Sequence, residues 1–337
     1  MKAFRLQDGF GLDYVKEVDL PIPAPGPNQV LIQVKAVSLN SRDMGVINGF
    51  YEPNRTEPLI PVSDGVGRIV AIGDGAAKFQ IGERVSGIFT QSWASGEPTQ
   101  ENWVSTLGSP RDGMLAEYVV LPEEGVVRVP EHLTDEEAAA LACAGVTAWH
   151  AIAEEGQVKA GDVVVVQGTG GVSLFALQFA KLLGAHVIIT SSSDEKLERA
   201  KALGADYGIN YQTTPEWDQA VLAYTQGRGA DHIVDLGGAS TLNRSISALK
   251  VGGQVSIVGI LSGAEVEDFA IVPAIIRKAR LQAINVGSRE MFERMNRAIE
   301  QHSLRPVIDK TFPFAQSLDA FRYLAQGSAF GKICIAV

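Results

Sequence analysis

Cysteine is nearly absent from this 337-residue chain, which carries only Cys143 and Cys334. Two thiols exclude a disulfide framework and a four-cysteine zinc site. Long apolar runs are missing as well: no stretch approaches the roughly eighteen consecutive residues that a membrane span needs. The opening Met1-Lys2-Ala3-Phe4-Arg5 lacks the apolar core of a signal peptide and reads as an early strand. No Lys/Arg cluster offsets the formal charge of −10, so the field repels nucleic acid and anionic membranes. The five histidines, at 132, 150, 186, 232 and 302, show no metal-ligand or nucleophile–base spacing, and His150, beside Trp149 on an expected helix, reads as a packing residue. With no Gly-x-Ser-x-Gly elbow, a serine hydrolase has no support. These absences point to a cytoplasmic protein with neither a nucleic-acid nor a membrane partner.

What is present is an ordinary globular composition, 46% hydrophobic and 20% charged, in a chain long enough for two cores. Residues 1–125 are β-rich, with short apolar runs such as Val30-Leu31-Ile32-Gln33-Val34 and Gly67–Ile72 broken by Pro and Gly turns. Residues 91–113 are polar and aperiodic and read as a long loop, in which Trp93 and Trp103 suit either pocket walls or anchors. The pattern changes near residue 126. Val163-Val164-Val165-Val166 is a continuous β-branched run, as in a parallel strand buried on both faces. A helix follows with Val172, Phe175, Ala176, Phe179 and Leu183 on one face, then a strand at His186–Thr190 and a helical stretch from about Glu195 to Leu203. Further strands at Ile233–Asp235, Val255–Val258 and Leu281–Val286, and a helix near 290–301, predict an α/β region with a parallel sheet over 126–301. The tail, 302–337, ends in one more strand, Lys332–Val337, expected to return to the first domain.

Gly168-Thr169-Gly170-Gly171-Val172-Ser173 lies between the first strand and helix of the α/β region. Gly168 permits a tight turn, and Gly170 lets the backbone approach a pyrophosphate at the helix N-terminus, with Thr169, Gly171 and Val172 around it. Ser173 replaces the third glycine of the usual fingerprint. The flanking strands and helix, more than the glycines, make this a dinucleotide site. At the end of the second strand NAD binders place Asp or Glu for the ribose 2′-hydroxyl. Here stands Ser191-Ser192-Ser193, whose hydroxyls can donate to a 2′-phosphate while Lys196 neutralises it, so NADP(H) is expected over NAD(H). Ser192 and Lys196 equally suit the solvated start of an exposed helix, with Asp194 as a competing cap. Other strand ends put Gly237 and Gly238, Val258-Gly259-Ile260 and Asn285-Val286-Gly287 at the carboxyl edge of the sheet, where their backbone groups can hold a nicotinamide carboxamide.

Several motifs in one order carry a wider resemblance. They are Ala139-Ala140-Leu141-Ala142-Cys143-Ala144-Gly145-Val146-Thr147-Ala148-Trp149, the glycine turn, Leu203-Gly204-Ala205-Asp206, Gly252-Gly253-Gln254 and the closing Gly331-Lys332. With these the sequence resembles the medium-chain dehydrogenase/reductase family over essentially its whole length. The resemblance implies a GroES-like β-rich catalytic domain at 1–125, completed by 302–337. It also implies a doubly wound Rossmann domain at 126–301 and a homodimer through the last Rossmann strand. Zinc members of the family hold catalytic metal with a Cys, a His followed by Glu, and a later Cys or Asp. The matching positions here carry Asn40, Ser63-Asp64 and Cys143. A catalytic zinc needs about three protein ligands, and residues 91–113 hold no cysteine for a structural zinc, so no metal is expected. Cys143 then reads as a small buried residue.

Without zinc there is no Lewis acid to lower an alcohol's pKa. The segment Asn40-Ser41-Arg42-Asp43, with Gly49-Phe50-Tyr51, resembles the zinc-free quinone oxidoreductases and enone reductases. That resemblance implies hydride transfer from NADPH to a small electrophilic carbonyl substrate, a quinone or an α,β-unsaturated carbonyl. Asn40 would donate its amide to the carbonyl oxygen, and Tyr51 would donate a hydroxyl or cover a flat ring. Asp43 would position backbone or the nicotinamide ribose, Arg42 would bind an anionic substrate or stabilise an enolate, and Thr147 would touch the nicotinamide. Asp64 would donate a proton if burial raises its pKa. Asn40 and Asp43 equally suit ordering a turn, Tyr51 a wall and Arg42 a solvent-facing position. A zinc-free alcohol or aldehyde dehydrogenase and a non-catalytic NADPH-binding protein of the zeta-crystallin kind are the alternatives.

Overall fold

A computed structural model describes residues 1–337, and the chain divides into two units, residues 1–146 with 287–337, and residues 147–286. The first opens with strands β1 (Lys2–Leu6), β2 (Val15–Asp19) and β3 (Gln29–Leu39), helix α1 (Ser41–Ile47), and strands β4 (Asp64–Ile72) and β5 (Arg84–Gly87). The one-turn helix α2 (Gln100–Trp103), strands β6 (Tyr118–Pro122) and β7 (Val126–Arg128), and helix α3 (Asp135–Ala139) follow. A π-helical stretch, Leu141–Gly145, leads into α4 (Val146–Trp149), and a second, His150–Glu154, comes after it. Such stretches are rare and are frequent at functional sites.

The second unit runs β8 (Val163–Gln167), α5 (Gly171–Leu182), β9 (His186–Ser191), α6 (Asp194–Ala202), β10 (Tyr207–Asn210) and α7 (Trp217–Tyr224). It continues with β11 (Ala230–Asp235), α8 (Leu242–Ala248), β12 (Leu249–Ile257), α9 (Ile271–Arg277) and β13 (Arg280–Ala283). The chain then returns to the first unit with α10 (Arg289–Gln301), β14 (Ile308–Pro313), α11 (Ser317–Ala325) and β15 (Lys332–Ala336). No helix is long and apolar enough to cross a membrane.

In the first unit β3 is the hub. It pairs antiparallel with β4, β6 and β15, with register shifts that bend it, in the sheet order β14-β15-β3-β4-β5-β7. Pairing on so many sides buries Ile32, Val34 and Val37 together with Ile69, Val85 and Ile335 in one core. Ile333 lies opposite Leu39, which brings the last strand alongside the end of β3. The division differs from the sequence expectation at α10. Its residues 289–301 fall in the first unit rather than in the 126–301 domain. Phe292, Met295, Asn296 and Ile299 form its buried face, Met295 packs against Gly145, and Asn296 Nδ2 donates to the Arg128 carbonyl at 2.8 Å.

The second unit is a six-stranded, all-parallel sheet in the order β10-β9-β8-β11-β12-β13, the doubly wound Rossmann arrangement. Val164, Val165 and Val166 of β8 are fully buried, as a central strand covered on both faces demands. Strand order reverses between β8 and β11. In such sheets ligands bind at that switch point, beyond the carboxyl ends of the strands.

Candidate active site

In the first unit a buried charge cluster forms where β3 ends, β4 begins and β15 begins. Asn40 caps α1, and its own N–H donates to Asp43 Oδ2 at 2.7 Å. Lys332, buried, donates from Nζ to Leu39 O and to Asn40 Oδ1, both at 2.5 Å. The other atom of the Asn40 amide, Nδ2, is buried and turned to Asp64, whose carboxyl it lowers as a side-chain hydrogen-bond donor, although the pair falls outside full hydrogen-bonding geometry. Asp64 is fully buried: Oδ1 accepts from the Ser63 hydroxyl at 2.7 Å and Oδ2 from the Cys143 N–H, in the π-helical stretch, at 3.1 Å. Burial pushes the Asp64 carboxyl upward, with Lys332 the largest opposing influence. Burial likewise raises Asp43, to about 6, against the pull of Arg42. The Cys143 thiol is pushed far above its ordinary value by burial and by the Asp64 charge, so it stays protonated.

The backbone that delivers Ser63 and Asp64 is strained. Val62 has φ +74°, a left-handed conformation that β-branched residues avoid. Gly113 makes room for it: a side chain there would meet the Val62 carbonyl oxygen at 2.1 Å. Val286, at a predicted cofactor position in the second unit, is the other valine of this kind, with φ +43°. Its carbonyl accepts from His150 Nδ1 at 2.8 Å, so His150 supports this strained turn besides packing.

Arg42 neither faces solvent nor offers a free fork. Its guanidinium donates to the carbonyls of Leu107 and Ser109, and it lies 5.2 Å from the Tyr51 ring centre and 4.7 Å from that of Phe89. It therefore ties α1 to the 91–113 segment. Tyr51 is half exposed, held by Arg42 and by edge contact with Phe50, and needs Gly45 for space. Trp93 is buried, donates from Nε1 to the Gly96 carbonyl and meets Trp103 edge-on, so the two tryptophans anchor their loop.

The second unit carries the glycine turn at which a cofactor is expected. Gly168, φ +74°, ends β8, and Gly170 caps α5 with no side-chain hydrogen bond, leaving the first N–H groups of a twelve-residue helix uncapped. A Cβ on Gly170 would meet nothing within 4 Å, so the space beside it is open. These features fit a dinucleotide pyrophosphate: Gly168 to Val172 would hold it through backbone N–H groups. Ser173 stands in for the third glycine because its hydroxyl donates back to the Gln167 carbonyl at 2.8 Å. Thr147 is buried at the start of this unit.

At the end of β9 the cap of α6 is Ser193, whose Oγ accepts from the Lys196 N–H, not Ser192 or Asp194. Ser191 Oγ accepts from the Ser193 N–H, and Asp194 accepts from Asn210 Nδ2. That leaves Ser192 exposed and without a capping role. Gly237, Gly238, Val258 and Gly259 sit at the ends of β11 and β12, with Ile260 and Asn285 exposed beyond. Gly287 belongs to the first unit, where a side chain would meet Val146 at 2.5 Å.

Gln167 was not singled out in the sequence. Buried at the end of β8, it donates from Nε2 to Asp235 Oδ2 (3.0 Å) and Ser245 Oγ (2.9 Å) and accepts at Oε1 from the N–H groups of Leu236 and Gly237. Asp235 Oδ1 in turn holds the Gly238 N–H and the Thr241 hydroxyl. The signal was there: a polar residue closing a four-valine run.

Zinc is the metal this fold implies, and the donor set does not fit it. No three His, Cys, Asp or Glu side chains gather where a metal could be held. At the matching positions Asn40 Oδ1 already faces an ammonium, both Asp64 oxygens accept hydrogen bonds, and Cys143 is held as the thiol.

Comparison with known proteins agrees with this architecture. Residues 26–131 match the alcohol dehydrogenase GroES-like domain, and residues 171–301 match the zinc-binding dehydrogenase family. A zinc-type alcohol dehydrogenase-like protein of Schizosaccharomyces pombe is 41% identical, over 97% of this chain and 96% of its own. A chloroplast envelope quinone oxidoreductase homolog of Arabidopsis thaliana is 30% identical over 97% and 95%. Among solved structures, a putative alcohol dehydrogenase of Sinorhizobium meliloti 1021 superimposes with TM-score 0.93 at 40% identity, covering 100% of this chain and 99% of that one. An NAD-dependent alcohol dehydrogenase (TM-score 0.92, 34% identity) and a mycobacterial protein complexed with NADPH (0.84, 26%) each match over 100% of both chains. The chain belongs to the medium-chain dehydrogenase/reductase family and shares its oxidoreductase fold.

Proposed function

We propose that this chain is an NADPH-dependent, zinc-independent reductase of quinones or α,β-unsaturated carbonyl compounds. The observation that carries the reading is a donor set unsuited to zinc around the buried Asn40 amide, whose Nδ2 leans on Asp64 without a well-formed hydrogen bond. A buried donor short of good pairing is costly, and a substrate carbonyl oxygen would give it a better acceptor. NADPH, when bound, supplies the hydride. As negative charge gathers on the substrate oxygen, the fixed Asn40 donor binds it more strongly than the neutral carbonyl, which is how such a donor lowers a barrier. Tyr51, half exposed, covers a flat ring or hands a proton from its hydroxyl, and water reaches it there. We read Asp64 as an anchor for this segment, since its oxygens accept from the Ser63 hydroxyl and the Cys143 N–H.

The preference for NADPH rests on exposed Ser192 and neighbouring Lys196 and on the absence of a carboxylate at the end of β9. A homodimer is supported by the apolar surface of α9, where Val272, Ile275 and Ile276 are exposed beside the edge strand β13. Light scattering should give twice the 36.0 kDa chain mass. A cytoplasmic setting accords with the two unpaired thiols.

The test is oxidation of NADPH or NADH by chelator-treated protein with 1,4-benzoquinone, an aliphatic enone, and a panel of saturated alcohols in the reverse direction. Turnover of quinone or enone with NADPH, unaffected by the chelator, is expected. Activity confined to saturated alcohols would favour the dehydrogenase reading that the names of several relatives suggest. Activity only after zinc is restored would overturn the zinc-independent one.

A further inference from the structure

We propose that Lys332 is a positioning residue that fixes the orientation of the Asn40 carboxamide, so that the amide offers donors, and never its oxygen, to the substrate. The proposal rests on the carbonyl-reductase reading above. An ammonium has three donors and no acceptor. With Lys332 Nζ at 2.5 Å from one atom of the Asn40 amide, that atom must be oxygen, because the turned amide would set donor against donor at the same distance. Lys332 also donates to the Leu39 carbonyl, on the residue just before Asn40, and so grips the backbone and side chain of one short segment together. It is only 3% exposed, so water cannot take its place.

The fold takes trouble to put it there. Pairing of Ile333 with Leu39 sets Lys332 beside Asn40, and Gly331, at φ +101°, swings the chain inward through a space where any side chain would strike the Val307 carbonyl at 2.4 Å. A freely turning amide would present either NH2 or C=O; the fixed one selects an acceptor such as a carbonyl and disfavours a group that must itself donate.

Lys332→Gln is the informative change, because glutamine carries both a donor and an acceptor and so allows both orientations of Asn40; Lys332→Arg keeps donors only. Two readouts are needed. The first is the side-chain amide resonance pair of Asn40 in 15N-labelled protein, assigned by its loss in Asn40→Leu. We expect one sharp pair in the wild type, a doubled or broadened pair in Lys332→Gln, and a single pair again in Lys332→Arg. The second is turnover of 1,4-benzoquinone. Lys332→Gln should lower kcat about tenfold with NADPH affinity unchanged, and should cause no further loss in the Asn40→Leu background, since it acts through Asn40. An unchanged amide resonance in Lys332→Gln, or a full additional loss in the Asn40→Leu background, overturns the proposal. If Lys332→Gln does not fold, the Lys332→Gln/Asp64→Asn pair removes one buried charge of each sign and carries the same test. A wild type that reduces neither quinone nor enone would defeat the reductase reading, while the resonance test would still decide the role of Lys332.

Discussion

Gln167 and Asp235, at the ends of adjacent parallel strands β8 and β11, are joined by a hydrogen bond of 3.0 Å across the point where the strand order of the sheet reverses. The same glutamine holds the Leu236 and Gly237 N–H groups, so the two lips of the cofactor cradle are one polar unit inside an apolar sheet. Gln167→Leu leaves those donors and one Asp235 oxygen short of partners. It should cost about 1–3 kcal/mol of stability, read by urea unfolding, and should weaken NADPH binding measured by fluorescence titration. Gln167→Leu with unaltered affinity would show that the network does not shape the cradle.

Two glycines separate function from packing. A Cβ at Gly170 meets open space, whereas one at Gly113 would strike the Val62 carbonyl oxygen at 2.1 Å. Gly170→Val should therefore fold with a near wild-type melting temperature and lose at least about tenfold in NADPH affinity, since the helix N-terminus loses access to phosphate. Gly113→Ala should do the reverse, lowering the melting temperature before it touches cofactor affinity.

The parts of this design that were legible in the sequence are local ones. The Val163–Val166 run, the glycine turn and the amphipathic α5 follow one another along the chain, so pattern and spacing suffice. The positions of Asn40, Asp43 and Asp64 came from family resemblance rather than from spacing. Their partners were not legible: Lys332 is 292 residues from Asn40, and only pairing of the last strand with β3 unites them. The same limit hid the roles of Arg42 and Gln167, whose hydrogen-bond partners lie 65 to 78 residues away. Amphipathic α10 reads the same whichever core it covers. Ser193 outcompeted two neighbouring caps by a choice of backbone angle that three consecutive serines do not reveal.

Asp43 carries a pH signature. Its folded carboxyl, near 6, lies above the ordinary value of 3.8, so the folded state binds the proton more tightly. The favourable contribution is complete below about pH 4 and is lost as pH rises through about 6. Above that the buried charge costs on the order of 1–3 kcal/mol. Asp43→Asn keeps an acceptor for the Asn40 N–H and removes the charge. It should unfold at a higher temperature than wild type at pH 7, with the difference shrinking toward pH 4. Buried His232, lowered to about 4 by desolvation, acts in the opposite sense over the same range, so the comparison is made against wild type at each pH. A difference that does not vary with pH would contradict the assignment to Asp43.

Cofactor choice is open to a single charge. A carboxylate at exposed Ser192 would accept from a ribose 2′-hydroxyl and repel a 2′-phosphate. Ser192→Asp should move the ratio of NADPH to NADH affinity toward NADH by about tenfold or more, a change of about 1.4 kcal/mol. No movement would place the 2′ group elsewhere.

The most direct measurement is kcat on 1,4-benzoquinone for wild type and Asn40→Leu, both chelator-treated, at saturating NADPH. If Asn40 Nδ2 is the donor that stabilises the developing oxyanion, the variant should bind NADPH normally and lose about 10²-fold in kcat. An Asn40→Leu enzyme that turns over at the wild-type rate would contradict the central claim.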